Sequence, residues 1–189
     1  MEQQFMKTAF FDFDGVVVDT EPIYDIYWNE AGERYQTGIP NFASHIKGTT
    51  LPYILDKYFS DRSEEFKEMV TRESMDFEQK MPFPPVPGAM EFIHLLKGKG
   101  VKVGLVTSSD NAKLERAFRL LKLDNLFDTV VSADRITKGK PDPMCYQLAA
   151  SDLHVSPADC LVFEDSFAGI QAGTNAGMRV IGLSTTNSE

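Results

Sequence analysis

Cysteine is almost missing from this chain. Cys145 and Cys160 are the only two in 189 residues and form no CxxC pair, which excludes a disulfide framework or a zinc ribbon. Both are expected as reduced thiols, one in a helix and one in a strand. Histidine is scarce too: His45, His94 and His154 fall on no motif, so none is given a catalytic part. No apolar run approaches the roughly 20 residues that a membrane-spanning helix needs. The polar start Met1-Glu2-Gln3-Gln4 has no apolar stretch behind it and does not read as a secretory leader. Positive charge is the last shortage. Lys and Arg number 19 against 28 Asp and Glu, a net charge of −9 with a pI near 4.8. Without a basic cluster there is no footprint for a nucleic acid. These absences point to a monomer in a reducing cytoplasm, with neither a membrane nor a nucleic acid as partner. They leave a small phosphorylated metabolite open, because a bound divalent cation inverts the local field.

What is present is an ordinary globular composition, with 42% hydrophobic residues, enough for a core that needs no staples. Residues 7–13 (KTAFFDF) are short and apolar and read as a buried parallel strand. From Pro22 to about Gln79 the spacing is helical, and Ser63-Glu64-Glu65-Phe66 reads as a capped helix start. Asp19-Thr20-Glu21-Pro22 reads as another, with a capping residue and a proline in the first turn. Four prolines between Met81 and Gly88 make that stretch stiff and extended, so a boundary falls there. Helices are then expected at 89–98, 111–121, 143–151 and 167–176. Strands at 101–106, 129–132, 160–163 and 179–183 alternate with them. Such alternation implies right-handed crossovers and a doubly wound parallel sheet, an α/β fold.

In such sheets ligands bind beyond the carboxyl ends of the strands. The residues following the strands are Asp12-Phe13-Asp14, then Thr107-Ser108-Ser109-Asp110, then a loop with Lys138 and Lys140, then Glu164-Asp165-Ser166. Brought together, they have the logic of phosphoryl transfer, which needs in-line positioning and compensation of negative charge. Asp12 is the expected nucleophile, through an aspartyl-phosphate. Asp14, on the same side of an extended backbone, is the expected general acid and base. Asp12, Asp165 and the Asp14 backbone carbonyl offer hard oxygen donors for Mg2+. Glu164 is either a further ligand or a partner behind one. Thr107 and the backbone near Ser108 and Ser109 face the phosphoryl oxygens, and Lys140 pairs with nucleophile and phosphate. Thr107 is also a candidate cap for the 111–121 helix, and Lys138 an ordinary loop charge. Phe13, between the two aspartates, is also expected against substrate, and Tyr24 is expected first in core packing and second against substrate.

The segments FFDFDGVVVDTE, GLVTSSDN, KGKPDP and VFEDSFAGIQAGTNAG resemble, in order, the four motifs of the haloacid dehalogenase superfamily. Within it the chain is most similar to the branch of β-phosphoglucomutase and small sugar-phosphate or phosphoglycolate phosphatases. The resemblance implies a Rossmann-like catalytic core, residues 1–17 and 87–189, with an inserted all-helical cap, residues 18–86, hinged near 16–19 and 84–88. It also implies Mg2+ as cofactor. Dehalogenases of the superfamily lack a carboxylate at the position of Asp14, so phosphate chemistry is expected. The resemblance further implies another strand and helix where this chain stops, six residues after its last expected strand; truncation stays open, and an exposed sheet edge is expected.

Two enzymatic readings remain. The mutase holds its distal sugar phosphate with a cap arginine that, aligned on Lys47-Gly48, becomes Leu51. Its cap lysine falls on Glu73 and a histidine on Tyr24. These departures favour a phosphatase acting on a small phosphomonoester over a mutase, while Lys47 keeps the mutase in play. A receiver-like phosphorylatable signalling module is the remote alternative.

Overall fold

Thr8–Phe11 forms the first strand, β1, because four successive residues are buried on both faces, the condition of a central parallel strand. This computed structural model describes residues 7–47 and 49–186. Gly48, half of the pair used to align the cap, and residues 187–189 of the chain end lie outside the described residues. After β1 come four helices: α1 (Glu21–Arg34), α2 (Phe42–Ile46), α3 (Leu51–Tyr58) and α4 (Glu64–Glu78). The alternation follows as α5 (Ala89–Gly98), β2 (Lys102–Val106), α6 (Asn111–Leu121) and β3 (Thr129–Val131). It ends with α7 (Met144–Asp152), β4 (Cys160–Glu164), α8 (Phe167–Asn175) and β5 (Arg179–Gly182). The five strands lie in the order β3-β2-β1-β4-β5, and every pairing is parallel. This is the doubly wound α/β sheet expected, and β5 is its exposed edge among the described residues.

The period-2 alternation of β1 feeds two cores. Ala9 and Phe11 join Leu105, Ile93 and Leu114 under α5 and α6. Phe10 joins Val106, Val162, Tyr146 and Cys145 under α7 and α8. The register sets Phe10 beside Gly104, where a Cβ would come within 2.7 Å of the Phe10 ring; glycine is required there because the ring occupies the space. Both thiols are free and buried, Cys145 in α7 and Cys160 in β4.

The helical segment has a third core of its own, with Trp28, Ala31, Tyr35, Phe42, Phe59 and Val70 buried together. Ser63 caps α4 by accepting from the Phe66 N–H, as its sequence suggested. The chain crosses between the sheet and these helices twice, and the two crossings lie side by side. Val86 N–H donates to Val17 O at 3.0 Å, and Asp19 N–H to Pro84 O at 2.7 Å. Among the described residues no helix is long and apolar enough to cross a membrane.

Phe10 is fully buried and sits in the central strand, so Phe10→Ala is expected to cost about 3–5 kcal/mol. Urea unfolding should show a lower midpoint at unchanged slope; an unchanged midpoint would contradict the packing described.

Candidate active site

Asp12 continues the register of β1 by one residue, its N–H donating to Phe163 O at 3.0 Å. The chain then turns tightly. Val17 and Val18 N–H groups both donate to Phe13 O, at 2.9 and 3.0 Å. Gly15 takes a positive φ of 78°, and a Cβ there would overlap the Asp165 carboxylate; no other residue fits this close approach. Asp12 and Asp14 consequently face one cavity. Phe13, between them, points the other way and is wholly buried, 6.2 Å from the Phe83 ring. Its side chain belongs to the core, leaving only its backbone to face a ligand.

Under Asp12 lies a buried charge cluster. Lys140 Nζ donates to Asp12 Oδ1 at 2.8 Å and to Val106 O at 3.3 Å, and also pairs with Glu164 Oε1. Tyr146 OH donates to the same Glu164 oxygen at 2.8 Å. The other Glu164 oxygen accepts from Ser166 Oγ and from the N–H groups of Asp165 and Ser166. Both Glu164 oxygens are therefore engaged within the protein. Burial pulls the Lys140 ammonium down, but Asp12 and Glu164 more than reverse this and hold it well above the ordinary lysine value. Asp12 is pushed up by burial, with Glu164 and Asp165 adding to the shift against the single cation. Asp165 is raised to about 6, chiefly by burial, and Thr186 Oγ1 donates to it. Oxygen atoms of Asp12, Glu164 and Asp165 lie within 4.8 Å of one another. Of these, Asp12 and Asp165 line the cavity and offer hard oxygen donors that suit a divalent cation.

Asp14 is held differently. Burial raises it, but Lys113, Thr20 and Ser109 outweigh that and bring it below the ordinary aspartate value. Lys113 Nζ lies 2.7 and 2.6 Å from its two oxygens. Ser109 Oγ donates to Oδ2 at 2.8 Å, and Thr20 Oγ1 donates to Oδ1. Thr20 occupies the N-cap position of α1 without capping it, because its hydroxyl serves Asp14 instead. The cap of α6 is Asp110, which accepts from the Lys113 N–H, and not Thr107. Thr107 is buried and its Oγ1 accepts from the Ser109 N–H at 3.0 Å, which shapes the loop beside Ser108.

The cavity measures about 370 Å3, with Thr107, Ser108 and Ser109 on its sheet side and α1 to α4 residues opposite. Tyr24 lines it and donates to Glu78 Oε1 at 2.7 Å. Lys47 lines it as well, 3.0 Å from Asp25 and 3.5 Å from Glu21. Glu21 is pushed up to about 7 by burial and then by Asp14 and Asp165. Leu51 faces the cavity as the alignment suggested. Glu73 does not: it is tied to Arg34 at 3.0 Å and to Tyr35 OH at 2.6 Å, away from the lining. Among the described residues the lysines lining the cavity are Lys47 and Lys113, each paired with a carboxylate, and no arginine lines it. Lys138 makes only an exposed pair with Asp142 at 3.8 Å.

The structure thus brings Asp12, Asp14, Thr107, Ser108, Ser109, Lys140, Glu164 and Asp165 together, with Tyr24 and Lys47 across the cavity. Lys113 was missed. The signal for it is its place on α6, four residues before the buried Ala117: a lysine on the apolar face of a helix that starts at a strand's carboxyl end.

Residues 9–183 match the family model described as haloacid dehalogenase-like hydrolase. A phosphorylated carbohydrates phosphatase of Thermotoga maritima is 33% identical over 94% of this chain and 85% of its own. The β-phosphoglucomutase of Bacillus subtilis is 33% identical over 94% of this chain and 83% of its own. A solved HAD hydrolase of family IA, variant 3, from Entamoeba histolytica superposes with a TM-score of 0.82 at 26% identity, covering 97% of this chain and 86% of that one. Strand order, the four strand-end motifs and these matches agree, and the chain belongs to the haloacid dehalogenase-like hydrolase family.

Proposed function

We propose that this enzyme is a phosphatase of a small phosphomonoester, a sugar phosphate or a near relative. Its likeness to the Thermotoga phosphatase supports this. One observation carries the choice over a mutase: both lysines lining the described cavity are already neutralised, Lys47 by Asp25 and Glu21, Lys113 by Asp14. A second phosphate on the substrate would meet carboxylates instead of a free cation. The mutase reading has Lys47 in its favour, since that lysine faces the cavity and needs only to exchange partners to meet a phosphate.

In this reading Asp12 attacks phosphorus and Asp14 protonates the departing oxygen, then deprotonates the incoming water. Lys140 holds Asp12 in position from beneath. Thr107, Ser108 and the backbone of Phe13 line the place where those oxygens sit. Glu164 orients Lys140. Asp12, Asp165 and the Asp14 carbonyl would hold Mg2+, whose charge offsets that of the phosphoryl group. Residues 18–86 form the cap, with their own core and two adjoining crossings as hinges, and set substrate choice; 1–17 and 87–189 form the catalytic core.

Phosphorus NMR of the chain with Mg2+, β-glucose 1-phosphate and a trace of glucose 1,6-bisphosphate tests the choice. Free phosphate is expected from this or another ester in a panel, abolished by EDTA and by Asp12→Asn. Glucose 6-phosphate accumulating faster than phosphate would overturn the phosphatase reading in favour of the mutase. Lys140→Met leaves Glu164 buried without its cation, so a loss of about 3–5 kcal/mol in urea unfolding is expected beside the loss of turnover.

The raised carboxyls give a pH signature. Asp165 and Glu21 bind a proton more tightly folded than unfolded, with folded values of about 6 and 7. Their stabilisation is therefore complete below pH ~4 and lost as pH rises through 6–7. The metal-free chain is expected to melt lower at pH 7.5 than at pH 5.5. Millimolar Mg2+ should flatten that slope by binding the deprotonated site. A melting temperature that rises with pH in EDTA would count against the charge excess.

A further inference from the structure

Helix α6 turns two cations toward the α1–α4 segment, and they do different things. Arg116 donates to Glu78 O at 3.1 Å and to Met81 O at 2.7 Å, pinning the return crossing to the sheet domain. Lys113, one turn earlier, goes to Asp14. Its side chain is 2% exposed. Its ammonium lies 4.6 Å from the centre of the Tyr24 ring, which covers it from the α1 side, and 5.9 Å from that of Phe13.

An ammonium within 2.7 Å of both oxygens of one carboxylate fixes the carboxylate's rotation as well as its place. Two hydroxyls do this less firmly: Ser109 and Thr20 each hold one oxygen, are neutral, and can rotate. The three donors come from three separate parts of the fold, namely the start of α1, the loop after β2, and α6. A group that only closed a gap between helix and loop would not need a buried charge. Lys113 is the one cation bonded to Asp14 among the described residues.

We propose that Lys113 is a positioning residue for phosphoryl transfer: with Ser109 and Thr20 it fixes the place and rotation of the Asp14 carboxyl at the cavity, within reach of the leaving oxygen. The inference rests on the phosphatase reading. In the first half-reaction an Asp12 oxygen bonds to phosphorus while the bond from phosphorus to the alcohol oxygen breaks. That oxygen takes a proton that Asp14 carries from solvent or from the preceding turnover, and Asp14 is left as the carboxylate paired with Lys113. In the second, a water oxygen bonds to phosphorus and the bond to Asp12 breaks. The water's proton passes to Asp14, inorganic phosphate leaves, and Asp12 is a carboxylate again. Lys113 takes no part in either bond change and acts through Asp14.

The consequence is selective. A sugar alkoxide cannot leave without a proton, whereas p-nitrophenolate can. Since kcat/KM covers only the steps through phosphorylation of Asp12, it isolates the half-reaction in which Asp14 is the acid. Lys113→Met is expected to lower kcat/KM for glucose 6-phosphate at least about tenfold, and for p-nitrophenyl phosphate by less than about threefold. Lys113→Arg keeps the charge and should recover most of the difference. Lys113→Gln supplies the same comparison if the Met variant does not fold, with thermal melts as the control. Equal losses on both esters, no loss on either, or an Arg variant as poor as the Met variant would overturn the inference while leaving the phosphatase reading intact. Where glucose 6-phosphate is not turned over, the sugar phosphate of the panel hydrolysed fastest takes its place, and a wild-type chain that hydrolyses no ester would overturn both.

Discussion

The ion cluster under Asp12 is the constraint on which the rest of the site depends. An ammonium with 2% of its side chain exposed is tolerable only when carboxylates surround it in good geometry. Those carboxylates come from two neighbouring strand ends, Asp12 beyond β1 and Glu164 at the end of β4, while Lys140 arrives from the long loop after β3. Val106 O at the end of β2 accepts as well. Four strands must therefore be in register before the charge is satisfied. The sheet order β3-β2-β1-β4 provides that, with β1 between its two partners. Glycine at 169 follows from the same cluster, because a Cβ there would overlap the Glu164 carboxylate.

The second carboxylate, two residues on, has an environment of the opposite kind. Burial and neighbouring acids push Asp12 up, whereas Lys113 and two hydroxyls hold Asp14 down against its burial. The two carboxyls thus lie two residues apart in unlike electrostatic surroundings. Phe13 between them is the mechanical reason they stay apart in function but together in space. Its ring is anchored in the core under α5 and α6, so its flanking side chains are turned to the cavity.

The helical segment contributes a wall rather than chemistry. Its aromatic core is separate from the two that flank the sheet. Trp28 shows both duties at once, being 6% exposed in that core while its remaining surface lines the cavity. The charge on this wall is mainly acidic. Lys47 is held by Glu21 and Asp25, and Glu78 is held by the Tyr24 hydroxyl.

The sequence by itself determined the strands, the α/β class and the residues at the strand ends. Each depends on local patterns: apolar runs of strand length, helical spacing between them, and chemistry placed where a strand stops. Ser63 as a cap was legible for the same reason, being a property of a few adjacent residues. The tertiary structure alone decided the partners. Thr20 reads locally as a helix cap, yet its hydroxyl is drawn to Asp14. Lys113 lies on the apolar face of α6, but that its ammonium meets Asp14 depends on the packing of α6 against the loop after β1. Glu73 aligned with a substrate-binding position but faces Arg34 and Tyr35. Lys47 faces the cavity yet is neutralised there by residues 22 and 26 positions earlier in the chain. Such outcomes depend on which way a helix turns its side chains and which distant charge they then meet, and linear spacing carries neither.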